Sequence, residues 1–211
     1  RYSFDFFPNY IYLATYICAA LIQIFNFGVL IFVNIKKPKP IQTSVRPLSK
    51  ILMSKTVIIA ILAASVGYSL MSFIMTATPL QIVNVCKLGD SASATVIQWH
   101  VIAMFAPSFF TGSIINFLGN RKVMMIGVML YIISMCFGIT GQTIEYFWIS
   151  LFLCGLGWNF LYVGGSDIIA KSALPEERAK VQGVTDFIIF IFVASGSFLA
   201  GNLHNNLGWE I

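Results

Sequence analysis

TVIIAILAASVGYSLMSFIMTATPL, residues 56–80, holds twenty-five residues without a single charge. A helix of about 20 apolar residues crosses a hydrocarbon core about 30 Å thick. In lipid the backbone must satisfy its own hydrogen bonds, which a helix does within one segment. The stretch therefore reads as a membrane-spanning helix. On either side the pattern repeats. Further apolar runs at about residues 10–33, 94–118, 123–141, 146–170 and 181–203 bring the predicted spans to six. No alternation of the kind that marks barrel strands of about 10 residues appears. The expected fold class is an all-α, polytopic membrane helical bundle.

Composition points the same way. Hydrophobic residues make up 58% of the 211-residue chain and charged residues only 10%, with a mean hydropathy of +0.84. A soluble domain carries roughly 25% charge, so this chain lacks the charge to coat a water-facing surface. Disordered, collagen-like and coiled-coil classes fall with it. Cys18, Cys86, Cys136 and Cys154 show no metal spacing and read as small apolar residues. No metal, cofactor or nucleic-acid partner is expected; the surrounding partner is the lipid bilayer. The opening at Arg1, rather than a methionine, reads as that of a fragment.

The connections are short except one. Residues 34–55 contain three prolines and six basic residues: Lys36, Lys37, Lys39, Arg46, Lys50 and Lys55. Prolines deny this stretch a continuous helix and the charges keep it in water. It reads as a linker, with residues 1–33 carrying the last helix of one bundle and residues 56–211 most of another. Placing the linker in the cytoplasm puts Arg121, Lys122, Lys171, Arg178 and Lys180 there as well. Eleven of the thirteen basic residues then share one side, leaving only Arg1 and Lys87 opposite. That is the bias of a cytoplasmic face. Tyr2, Tyr10, Tyr146, Trp148 and Trp209 fall at the outer interface, as an aromatic belt does.

The third and fourth spans are joined by the run GSIINFLGNRK, residues 112–122. Gly112 and Gly119 permit close approach and a tight reversal, with Arg121 and Lys122 beyond them. Such a hairpin is either an ordinary turn or a latch. The run resembles the loop signature of the major facilitator superfamily of secondary transporters, Gly-x-x-x-Asp-Arg/Lys-x-Gly-Arg/Lys-Arg/Lys. Gly112, Gly119 and Arg121 match; Asn116, Phe117 and Asn120 depart from it. The segment GLGWNFLYVGGSDIIAKSALPEERAKVQGVTDF, residues 155–187, resembles an even-numbered helix of that family, its cytoplasmic loop and the next helix. MTATPLQIV, residues 75–83, and IQWHVIAMFAPSFFTG, residues 97–112, resemble a bacterial branch of it.

The resemblance implies helices six to eleven of twelve, with the remaining N-terminal bundle and final helix missing, in a bacterial inner membrane. It implies a carrier that moves a small solute by alternating access, with a proton as a possible partner in coupling. An accessory membrane subunit and a membrane-embedded enzyme are the alternatives. No HExxH, GxSxG or phosphate-binding GxxxxGK[ST] motif supports the enzyme or direct use of ATP.

Within that frame the latch candidates are Gly112, Asn116, Gly119, Arg121, Asp167, Arg178 and Asp186. Asp167 is expected to pair with Arg121, since a carboxylate near the bilayer needs a partner or a task. The loop from Ser172 to Gly183 reads as a solvated surface helix with Pro175 at its start. Solute would bind near the midplane. Trp158, Asn159, Tyr68, Gln23 and Asn26 lie near the centres of their spans, with Gln98 and Trp99 farther out. Each can orient a polar or aromatic solute, or can bridge helices. His100 is a candidate proton carrier, with hydrogen-bonded packing as the other reading.

Overall fold

The computed structural model describes residues 13–33 and 46–207. Tyr2, Tyr10, Trp209 and residues 34–45 of the predicted linker lie outside the described residues. The chain divides into two compact units, Arg1–Thr43 and Ser44–Ile211. In the first unit, helix α1 (Leu13–Ile31) buries none of its residues. Gln23 and Asn26 are exposed on it, three positions apart.

The second unit begins with a short helix, α2 (Leu48–Leu52), and continues through α3 (Lys55–Leu80), α4 (Asp90–Phe105), α5 (Ser108–Leu118), α6 (Asn120–Thr140), α7 (Ile144–Ser172) and α8 (Arg178–Leu207). No strand occurs among the described residues. Among the described residues five helices, α1 included, are long and apolar enough to cross a membrane, and the pair α4–α5, bent by 44°, makes a sixth if it crosses as one span. The third predicted span is thus a broken one. The cause is Pro107, which has no N–H to continue the ladder and whose ring crowds the preceding turn.

Local chemistry sets the helix ends. Ser54 caps α3, its hydroxyl accepting from the Val57 N–H at 3.4 Å. At the far end of α3, after Pro79, the ladder relaxes into a π-helical turn over Gln81–Val85. Gly119, at φ +82°, makes the whole connection between α5 and α6; a side chain there would be strained.

The end of the predicted linker is folded rather than solvated. Pro47 precedes α2, where no helical N–H is required. Ile51 of α2 is buried with Val57, Ala60, Ile61, Ile169, Ala173 and Val181.

Helix α7 is the hub. Its most apolar window is 56% buried, against 22% for α8, and α3, α4 and α6 all pack on it, while α8 lies along α3. Its buried residues recur at Phe147, Leu151, Cys154, Trp158 and Leu161, the helical three-and-four spacing. Two glycines admit the neighbours: a Cβ at Gly155 would lie 2.7 Å from the His100 carbonyl, and one at Gly165 2.9 Å from that of Ala60. The glycine-rich stretch of α7 is therefore a packing device. The seam of α7 with α6 carries hydroxyl bonds, with Ser134 donating to the Ser150 carbonyl at 2.7 Å and Ser150 to that of Ser134 at 2.9 Å.

Candidate functional site

Near the midpoints of α3 and α7 the aromatic side chains gather into a wall. Trp158 stacks on Tyr162, one helical turn along α7, with centroids 5.0 Å apart and planes 8° from parallel. Tyr68 of α3 meets Trp158 edge-on at 5.2 Å and Tyr162 at 5.5 Å. Phe105, the last residue of α4, meets Trp158 edge-on at 5.9 Å, and Phe190 of α8 leans toward Tyr68 at 6.1 Å. Stacked and edge-on contacts are the favourable aromatic arrangements. The indole N–H of Trp158 is buried with no hydrogen-bond partner among the described residues, an uncommon state for a buried donor.

Within the second unit the structure brings Trp158 and Tyr68 together and leaves Gln98, Trp99 and the Asn159 side chain out of the wall. Trp99, half-exposed on α4, joins a second aromatic group with Trp148 at 5.8 Å, and Trp148 stacks on Phe152 at 5.3 Å. Gln98 is exposed on α4. Asn159 is fully buried and its amide is engaged within the protein, with Met104, Ser108 and Thr111. Sequence reading missed Tyr162, Phe105 and Phe190. Of these Tyr162 had a signal, since it stands four residues beyond Trp158 and shares its helix face.

His100 is buried between α4 and α7, its Nδ1 2.6 Å from the Leu151 carbonyl. A carbonyl only accepts, so Nδ1 carries the proton and Nε2 the lone pair. Nε2 is buried without a hydrogen-bond partner among the described residues. One hydrogen bond, from Nδ1 to the Leu151 carbonyl of the neighbouring helix, holds the ring.

At the end of the bundle where α5 turns into α6, the expected pair is replaced by another. Asp167 receives hydrogen bonds from Asn120 Nδ2 at 2.8 Å and from Lys171 Nζ, one turn away on α7, at 2.6 Å. Arg121 is not among the partners of Asp167. It is exposed, as are Lys122 and Asn116. The reason is geometric. With Gly119 alone as the turn, Asn120 opens α6 on the α7 side and its amide also reaches the Gly164 carbonyl at 3.4 Å. Gly112 makes no close approach, since a Cβ there would meet nothing within 4 Å. Asp186 accepts from Gln182 at 2.9 Å within α8, and Arg178 is exposed at the start of that helix.

The α7–α8 connection is also not a solvated helix. Helix α7 runs to Ser172, α8 starts at Arg178, and Pro175 lies in the turn between them. Glu177, in that turn, is 2% exposed and accepts four hydrogen bonds. They come from Arg46 N at 3.1 Å, Arg46 Nε at 3.0 Å, Arg46 Nη2 at 2.6 Å and Leu174 N at 2.9 Å. Arg46 Nη2 also reaches the Ser172 carbonyl at 3.1 Å. The hydrogen bonds from Arg46 hold the Glu177 carboxyl at about 2, far below its ordinary range, and the carboxylate in turn raises the Arg46 guanidinium. A two-toothed arginine–carboxylate bond of this kind is strong and directional.

Residues 57–211 match the family model of the Major Facilitator Superfamily, and the chain belongs to that family. It is 38% identical over 210 residues to the riboflavin transporter RfnT of Brucella anthropi, covering 98% of this chain and 52% of that protein. It is 36% identical over 133 residues to YdeG, an uncharacterized MFS-type transporter of Bacillus subtilis, covering 61% of this chain and 30% of that one. It is 24% identical over 131 residues to the multidrug resistance protein MdtL of Vibrio parahaemolyticus, covering 59% and 33%. The chain thus spans about half the length of the first relative and a third or less of the others. No solved structure matches it. Family and apolar helices together make this a multi-pass membrane protein.

Proposed function

We propose that the protein is a secondary active transporter that moves a small solute by alternating access, and that the solute is a planar heteroaromatic molecule, riboflavin being the first to test. The observation that carries this reading is the wall of Tyr68, Trp158 and Tyr162 at the helix midpoints, with a buried indole N–H that has no partner among the described residues. A flat ring system gains stacking on such rings and a hydrogen bond from such a donor. Similarity to the riboflavin transporter RfnT across nearly the whole chain supports the class of solute. The basic end, with Arg46, Lys171 and Lys180, is taken to face the cytoplasm. There the Asn120–Asp167 contact ties the α5–α6 hairpin to α7 and serves as part of the inner gate.

The test is uptake of labelled riboflavin into vesicles carrying the full protein, with and without a pH gradient. Saturable uptake is expected in the wild type. Trp158→Ala should weaken riboflavin by roughly tenfold, the size of one good aromatic contact. Absence of both uptake and quenching of flavin fluorescence by the purified protein would sink riboflavin as the cargo. A response of uptake to the gradient would identify the proton as coupling ion.

A further inference from the structure

The side chain of Asn159 is fully buried and three of its hydrogen bonds are resolved. Nδ2 donates to the Met104 carbonyl at 2.7 Å and to Ser108 Oγ at 2.6 Å, while Oδ1 accepts from Thr111 Oγ1 at 2.6 Å. A primary amide has two donors, so both are spent inside the protein and none is left for a solute. All three partners belong to one place in the fold. Met104 lies just before Pro107, and Ser108 and Thr111 just after it, at the 44° bend between α4 and α5. Thr111 Oγ1 also lies 2.8 Å from the Pro107 carbonyl, so its one proton is shared between two acceptors at the break.

Pro107 has no N–H for the Ala103 carbonyl and its ring opens the turn around it, and in an apolar seam a carbonyl left unbonded is costly. Asn159 supplies the Met104 carbonyl with a donor from another helix. In the same stroke it grips the first turn of α5 through two hydroxyls. Phe105 lies between Met104 and Pro107, and it is Phe105 that stands edge-on to Trp158, the neighbour of Asn159.

We infer that Asn159 is a positioning residue: by bonding both sides of the α4–α5 break it holds that break bent and so sets Phe105 against Trp158 in the aromatic wall. The functional meaning rests on the transport reading above; the geometry is tested without it. A leucine at position 159 fills the space and donates nothing. The Met104 carbonyl then regains a donor only if the ladder straightens as far as Pro107 permits, which carries Phe105 off the indole. Pro107→Ala acts on the same equilibrium from the other side, restoring a backbone N–H for Ala103 and removing the ring. Two substitutions that act on one bend are not additive.

The experiment places 4-fluorophenylalanine at position 105 of the full protein in micelles and follows its fluorine resonance. Trp158→Leu in the same background marks the position of the signal without the indole ring current. The wild-type signal should be displaced by the indole, and Asn159→Leu should move it most of the way to the Trp158→Leu position. Thr111→Val should move it part of the way. Pro107→Ala should move it too, and adding Asn159→Leu should then move it no further. Should Asn159→Leu not fold, Asn159→Ala, which likewise removes both donors, must give the same displacement. A signal unmoved by a folded Asn159 variant, or displacements that add, overturns the positioning role whatever uptake does. A displaced signal with the KM for riboflavin uptake unchanged overturns the link from this wall to the solute instead.

Discussion

Where α7 runs into α8, the second unit is held by a carboxylate; where α3 runs into α4, it is held by neutral amides. At the first end Glu177 is enclosed by donors at 2.6–3.1 Å, three of them from Arg46. At the second, His204 Nε2 lies 3.2 Å from Gln81 Oε1, Gln81 Nε2 lies 3.3 Å from Gln142 Oε1, and the Cys86 thiol lies 3.4 Å from the same oxygen. Each set joins segments far apart in sequence. Their strengths differ, because a charged, two-toothed bond outweighs a neutral amide bond about twofold. On the transport reading the amide end is the one that parts more easily, and the charged end anchors the linker to the moving pair of helices.

Breaking the clasp is expected to have the largest effect. Glu177→Gln removes the charge that four donors converge on and should give the greatest fall in thermal midpoint of the series; Arg46→Ala should match it. The double variant should be little worse than either, since both remove one interaction. The effect has a pH signature. The Glu177 carboxyl sits at about 2 when folded against an ordinary 4.5. Its contribution is therefore complete above about pH 4.5 and is lost as pH falls through about 2. Wild type and Glu177→Gln should be farthest apart near neutral pH and converge in acid, as melting curves at stepped pH would reveal. A constant gap would mean that packing, not charge, holds the turn.

The amide end should yield less. Gln81 is 2% exposed, and Gln81→Leu removes three side-chain bonds, to Gln142, His204 and the Cys86 sulfur, while leaving partners that reach water. A loss of about 1 kcal/mol is expected in equilibrium unfolding. A loss as large as that of Glu177→Gln would erase the contrast between the ends.

The smallest effect belongs to the remaining charges beside the clasp. Asp167 and Lys171 are 31% and 63% exposed and one turn apart, so Asp167→Asn should cost only about 0.3–0.5 kcal/mol. Arg121→Gln should leave the thermal midpoint unchanged, because Asp167 is bonded by Asn120 and Lys171. A drop on losing Arg121 that equals the drop on losing Asp167 would restore the pair expected from sequence.

How legible these features were follows from how far apart their partners lie. The third span was read as unbroken although Pro107 carried a local signal for the bend, since a missing N–H acts on its own turn. Trp158 and Asn159 stood out as a polar–aromatic pair at mid-span, but nothing local separated their roles. The bonds of Asn159 go to residues 48 to 55 positions away. Glu177 lay unremarked in a loop read as a solvated helix, because its partner Arg46 is 131 residues distant. Asn120 passed as a departure from a motif until the one-residue turn at Gly119 aimed it at Asp167.

By itself the sequence determined the medium and the elements. Long runs without charge require helices in lipid, because the backbone must bond within its own segment. Basic residues clustered in the connections carry only the expectation of which ends share a side. Only the tertiary structure decided which polar group meets which. Hydrogen bonds act over about 3 Å, and that proximity arises when α3, α4 and α6 close on the glycines of α7. There the amide of Asn159 is turned to the broken helix, and the indole of Trp158 to the aromatic wall.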